Sequence, residues 1–169
     1  MAKSTFSGPV KSLAGFISAG VNSSVSLTAD TTLTVDAHAG KILLCNDADG
    51  KFTLPSIVST TPSDPTDPNQ TNNIGATFHF YIETAATDLD IKTDGTDKFK
   101  GAILIAVDDG AKKAFVPAAS NDVITMNGST KGGIVGSIVS FTAIDTATYL
   151  VNSSLLIGSG TIVTPYADA

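Results

Sequence analysis

The sequence predicts an all-β protein, an antiparallel β-sandwich or barrel of the jelly-roll or tulip type. Two observations predict it. The chain has 15 Asp, 10 Lys and 22 Thr, but one Glu, one Gln and no Arg. Glu, Gln and Arg favour helices, whereas Thr favours strands and Asp favours turns. Apolar and polar residues also alternate along many short segments, as side chains do on the two faces of a strand.

The composition indicates one folded domain and limits its partners. Hydrophobic residues make up 42% of the chain and charged residues 15%, which is enough apolar surface for a core. The net charge of −6 would repel phosphate, so we expect no nucleic-acid partner. No segment approaches the about 20 apolar residues of a membrane span. Pro9 and Gly15 interrupt the short apolar stretch at the start, so we expect no secretory signal and synthesis in the cytoplasm.

Residues 1–20 are expected to form an N-terminal arm ahead of a single β-rich domain at residues 21–169. The arm places large apolar side chains among Gly, Ser and Ala with no sustained period. Such a segment is expected to dock on its own domain or on a neighbour, because water does not favour so much apolar surface. The residues expected to make this contact are Phe6, Pro9, Val10, Leu13, Phe16 and Ile17.

Alternation divides the domain into short strands. Between Val25 and Ala37 it predicts a hairpin or bent strand with one solvated face. The apolar run 103–107 predicts a strand buried on both faces. No segment has the apolar stripe of a three-turn helix. Further strands are expected around 42–44, 52–54, 78–82, 89–91, 115–116, 123–126, 134–141, 149–151, 155–157 and 161–164.

A long polar loop interrupts the strands at residues 59–73. It contains three Pro and no aliphatic or aromatic side chain, which excludes regular structure. Loops of this length in compact domains are uncommon and often functional. We expect this one to be exposed or to reach a neighbour through Pro62, Asp64, Pro65, Asp67 and Pro68.

Few residues offer catalytic or metal chemistry. A metal site at His38 and His79 would require the two to converge, and Cys45 lies in an apolar run typical of a buried side chain. Asp47 and Asp49 suggest the start of a calcium loop, but Val58 stands where an EF-hand has its closing Glu. Paired carboxylates of a glycosidase stay an alternative, although the chain has no Trp and one Glu. We expect no catalytic residue, metal or cofactor.

Several segments together resemble small β-rich virion proteins of tailed bacteriophages. They are the opening 5–12, the stretch from Leu33 to Pro55 with its Thr-Leu-Pro end, the strands of 78–93, and the last part with 136–141, 147–151 and 158–161. Together these segments cover most of the chain. Related chains often carry Trp where this one has Tyr149.

The resemblance implies a capsid decoration (cement) protein without enzymatic activity. Such proteins are typically homotrimers on the outer capsid surface, so the implied partners are the major capsid protein and other copies of this chain. An acidic surface fits the outside of a shell better than its DNA-facing side. The alternative is a phage fibre or receptor-binding domain that recognises host glycan. A bacterial enzyme or carbohydrate-binding domain is a third reading.

Overall fold

The computed structural model describes residues 23–58, 72–108 and 110–169. The arm residues 1–20 and most of the predicted loop lie outside this part of the chain. The described residues form thirteen strands and one short helix. The helix has four residues, and no described helix is long and apolar enough to cross a membrane.

The larger of two sheets has eight strands. They are β1 (Ser24–Leu27), β3 (Ile42–Cys45), β5 (Thr77–Ile82), β7 (Lys98–Lys100), β8 (Ile103–Ala106), β9 (Lys112–Phe115), β11 (Ile138–Ala143) and β12 (Thr148–Ile157). Their order is β1-β3-β5-β11-β12-β8-β9, and β7 also pairs with β12. The two apolar segments predicted near 149–151 and 155–157 are thus parts of one strand, β12.

The smaller sheet has five strands and packs against the larger one. They are β2 (Thr31–Thr32), β4 (Lys51–Thr53), β6 (Leu89–Lys92), β10 (Val123–Met126) and β13 (Tyr166–Ala167). Their order is β13-β10-β6-β4-β2. Buried side chains from both sheets form one cluster, which confirms the predicted all-β sandwich.

The first six strands alternate between the two sheets. β1, β3 and β5 are parallel neighbours in the larger sheet, and β2, β4 and β6 are parallel neighbours in the smaller one. The chain therefore winds through three turns of a coil. Antiparallel pairs, as predicted, join β11 to β5 and β12, β10 to β6 and β13, and β8 to β9. Alternation shows which face a side chain occupies and not which strand lies beside it.

The helix α1 (Val35–His38) replaces the end of the hairpin predicted between Val25 and Ala37. That prediction is wrong in two respects, because β1 and β2 also belong to different sheets. Thr34 caps the helix by accepting a hydrogen bond from the amide of Ala37, and its own amide donates to His38 Nδ1 at 2.9 Å. These local side-chain bonds favour a turn of helix over continued strand.

Aromatic side chains fill the space between the sheets. Phe80 and Phe141 meet edge to face with ring centroids 5.8 Å apart, and Phe99 lies 5.1 Å from Phe141. Phe52 brings the smaller sheet into this group at 6.4 Å from Phe80. Removing any one of these buried rings would cost about 3–5 kcal/mol. By contrast, Leu104 in the run 103–107 is half-buried, so the prediction that both faces are buried is wrong there.

Asn73 closes the base of the long loop. Its amide donates to the carbonyl of Val58 at 3.0 Å, and its side-chain oxygen accepts from the amide of Val58 at 2.7 Å. Residues 59–71 therefore leave and rejoin the domain at one point. Register partners Ser24 and Ile42 are 18 residues apart, whereas Ile42 and His79 are 37 apart. The loop is thus an insertion into an otherwise regular coil.

Further hydrogen bonds hold residues 55–58, which lead into the loop. The Tyr149 hydroxyl donates to the carbonyl of Pro55 at 2.6 Å. Ser56 Oγ donates to Asp94 Oδ2 at 2.6 Å, and the amide of Ile57 donates to Asp97 Oδ2 at 2.9 Å. We call residues 55–58 with Asn73 the loop base. Every residue of the loop base thus bonds to the domain or to another member of the base.

The two carboxyl groups at the loop base have opposite pKa shifts. Burial alone would raise the pKa of Asp94, but hydrogen bonds from Ser56 and Thr96 and from the amides of Thr96 and Asp97 outweigh it and lower the pKa to about 2. Asp97 is more deeply buried. Its burial and the neighbouring charges of Asp94 and Asp145 raise its pKa despite the hydrogen bond from Ile57. Of these two groups, Asp94 is therefore the one whose ionised form is stabilised by folding.

Replacing residues 59–71 by a four-residue Gly/Asn linker is expected to leave the free energy of unfolding unchanged or higher by about 1 kcal/mol. The loop base already joins both ends, and a shorter loop loses less entropy on closure. Asn73→Ala is expected to lower the free energy of unfolding by about 1 kcal/mol, because it leaves the partly buried amide of Val58 and carbonyl of Ser56 without their side-chain partner. Urea denaturation measures both. An equal decrease in the free energy of unfolding of the two variants would contradict the conclusion that the loop base, and not residues 59–71, stabilises the domain.

Asp94→Ala is expected to lower the free energy of unfolding at pH 7 by on the order of 1 kcal/mol, a value reduced for solvent screening of this exposed side chain. The folded pKa lies below the ordinary value of 3.8. The stabilisation is therefore present above about pH 4 and is lost as the pH falls toward 2. Urea denaturation should show a smaller difference in the free energy of unfolding between Asp94→Ala and wild type at pH 2.5 than at pH 7. Asp36→Ala is the exposed control, and a difference independent of pH would contradict this account.

Candidate protein-contact face

Five adjacent strands of the larger sheet carry no ionic charge. β1, β3, β5, β11 and β12 contain no Asp, Glu or Lys. The protein as a whole has 26 such residues and a net charge of −6. Within the strand bounds, the outer side of these five strands, which we call the uncharged face, carries no ionic side chain, and the exposed Glu83 lies at its edge, where it accepts a hydrogen bond from Asn46 at 2.7 Å. Interfaces between proteins are depleted of charge at their centre in the same way.

A row of apolar side chains crosses the uncharged face. The register places Leu44 beside Tyr81, Tyr81 beside Ile138, and Ile138 beside Leu155. Leu44 and Tyr81 are half-buried, while Ile138 and Leu155 are 41% and 42% exposed. We call these four residues the apolar row. Side chains at opposed positions of neighbouring strands lie side by side on one face, so the four form one strip across the sheet.

The polar groups beside the apolar row bond to one another. His79 Nδ1 lies 3.0 Å from Ser140 Oγ, and Thr77 Oγ1 lies 2.9 Å from Thr142 Oγ1. The Asn152 side chain donates to Thr142 Oγ1 at 2.7 Å. Because these groups already have partners, covering them would leave few hydrogen bonds unmade. The face can therefore be buried at a lower cost than one with unpaired polar groups.

The smaller sheet has the opposite character on its outer side. Lys51 lies 3.0 Å from the carboxylates of both Asp88 and Asp90. Lys92 continues the charged surface along β6. These partly exposed ion pairs keep a charged surface in contact with water. The outer sides of the two described sheets thus differ in charge and polarity.

The contact residues predicted from the sequence lie outside the described residues. This applies to the six arm residues, Phe6, Pro9, Val10, Leu13, Phe16 and Ile17. It also applies to the five loop residues, Pro62, Asp64, Pro65, Asp67 and Pro68. The structure describes only where each segment meets the domain. The arm joins at Ser23 beside β1, and the loop joins at the loop base.

The residues considered for nucleophilic or metal chemistry lie apart in different elements. Cys45 is buried, as predicted, and burial raises the pKa of its thiol to about 12. His38 bonds to Thr34 within α1, while His79 lies on β5, on the face opposite Phe80 as predicted. Within residues 23–58, 72–108 and 110–169, no three His, Cys, Asp or Glu groups cluster as metal ligands would.

The remaining candidates are a turn and a cleft. A hydrogen bond with Asp49 raises the pKa of Asp47, and both residues lie in the turn between β3 and β4. A shallow cleft of about 380 Å³ lies between β8 and the end of β12. Apolar side chains form most of its lining, together with Asp108 and Ser159. Within the cleft, Ser159 Oγ donates a hydrogen bond to Ser129 Oγ at 3.3 Å.

Sequence reasoning missed the uncharged face, although a signal was present. The net charge of the whole chain does not show this face, whereas the distribution of charged residues among the individual strands indicates it. Assigning Asp and Lys to individual strands would have shown five strands with neither. That these five strands are adjacent could not have been found, because β3 and β5 are separated by β4 in the chain and joined only in the sheet.

Comparison with known proteins does not assign the chain to a family. No protein-family model, no curated protein and no solved structure matches the chain.

Replacing both Ile138 and Leu155 by Thr is expected to change the free energy of unfolding by less than about 1 kcal/mol. Both side chains are exposed, and Thr is well suited to a strand. Val139→Thr, at the inward neighbour of Ile138, is expected to lower it by about 2 kcal/mol because its hydroxyl would be buried among apolar side chains. Urea denaturation compares the two variants. A large loss in the double variant would show that the apolar row holds the domain together.

Proposed function

We propose that this chain is a non-enzymatic structural protein of a virus particle, which binds the outer surface of a tailed-phage capsid and stabilises it. The observation that carries the proposal is the uncharged face with its apolar row on an otherwise acidic protein. A surface of this kind suits lasting contact with another protein, and five of its polar side chains, those of Thr77, His79, Ser140, Thr142 and Asn152, are already paired. The resemblance of the sequence to phage decoration proteins supports the same function.

The distribution of charge supports a place outside the shell. Residues 23–169 hold all 16 acidic residues and eight of the ten lysines, a formal charge of −8. Such a domain repels nucleic acid and would be unfavourable against a packaged genome. It meets no such penalty on an outer surface.

Assembly of three copies belongs to the same proposal. The described sandwich has edge strands at both ends of each sheet, namely β1 and β9 in the larger and β2 and β13 in the smaller. Open edges present unpaired backbone groups that favour pairing with other chains. Association into a closed homotrimer would cover part of these edges and limit aggregation.

Immunogold labelling of phage particles from the cells that make this protein tests the proposal. An antibody against the chain is expected to label the outer capsid shell of intact particles uniformly. An antibody against the major capsid protein is the control for shell integrity. Label confined to fibres would support the receptor-binding alternative, and a glycan array would then identify its ligand. Absence of label from intact particles, with label in the cell lysate, would reject a virion protein.

A further inference from the structure

The N-terminal segment differs in charge from the domain that follows it. Residues 1–22 contain Lys3 and Lys11 and no acidic residue, so their side chains carry a formal charge of +2 against −8 for residues 23–169. The same segment holds the six large apolar side chains of the arm. It therefore combines positive charge with apolar surface. An acidic domain with an uncharged apolar row offers a complement to both properties.

The point where this segment meets the domain lies beside the apolar row. The amide of Ile42 donates to the carbonyl of Ser23 at 2.9 Å, which fixes the start of the described chain next to β3. β3 carries Leu44, the first residue of the row. Strands lie about 4.8 Å apart, so Leu155 is roughly 19 Å from β1, four strands across the sheet. An extended chain covers this distance with about six residues at about 3.3 Å each.

We propose that residues 1–22 lie across the uncharged face of their own copy and cover the apolar row. The tether at Ser23 favours the same copy, because a covalently linked segment acts at an effective concentration in the millimolar range. A second copy of the domain is a poorer occupant, since it lacks this covalent link and must bind at the concentration of the free protein. A capsid partner that bound residues 1–22 would also uncover the row. This inference concerns the free protein and does not depend on the proposed function.

Limited trypsin digestion of the full-length free protein tests the docking. The chain has no Arg, so the cleavage sites within residues 1–22 are Lys3 and Lys11. Cleavage after Lys11, followed by mass spectrometry, is expected to be at least tenfold slower than in a free peptide of residues 1–22. The double variant Ile138→Thr with Leu155→Thr is expected to be cleaved at least fivefold faster than wild type. Val163→Thr is the matched control, since Val163 is 43% exposed and lies outside the uncharged face.

A second double variant tests the same contact from the side of the arm. Leu13→Ser with Phe16→Ser leaves the domain intact and is expected to accelerate cleavage after Lys11 to a similar degree. Wild-type cleavage as fast as the free peptide, or equal rates in wild type and the face variant, would overturn the proposal. Protection that rises with protein concentration would overturn docking within one copy. Capsid labelling is measured separately, so either result stands without the other.

Discussion

The chain must place side chains from both sheets into one apolar layer while it crosses between the sheets after each of its first strands. This constraint governs the rest of the structure. Each crossing needs a turn, which the many Asp, Gly and Thr residues supply. Phe52 from the smaller sheet and Phe80 from the larger one meet in the layer at 6.4 Å. Aromatic contacts of this kind fix the separation and the relative register of the sheets.

A coil of parallel strands also explains how a long insertion is tolerated. The loop at 59–71 adds length between β4 and β5 without changing which strands are neighbours. It can do so because Asn73 joins both ends and because Tyr149 and Asp97 hold the approach to it. Tyr149 thus serves the core with its ring and the loop base with its hydroxyl, and burial raises the pKa of that hydroxyl. A Trp at this position has no hydroxyl group and could not make the same hydrogen bond to the carbonyl of Pro55.

The difference between the outer sides of the two sheets links the fold to the proposed function. The smaller sheet carries ion pairs around Lys51 and is suited to water. The larger sheet carries paired hydroxyl groups and the apolar row, and is suited to cover by protein. In the proposed function, a domain with one solvated side and one side for contact would have a defined orientation on the capsid. The arm, which joins beside the contact side, adds to the same area if it docks there.

The sequence by itself determined the β class, the buried position of Cys45, and the alternation that sets Phe80 inward and His79 outward. These are local properties, because period, turn chemistry and hydropathy act over a few residues. The parallel coil, the helix at α1 and the apolar row were decided by tertiary structure. Leu44, Tyr81, Ile138 and Leu155 stand far apart in the chain, and only strand pairing makes them neighbours. For the same reason, counting the charged residues in the sequence does not reveal the uncharged face, because only strand pairing places its five strands side by side.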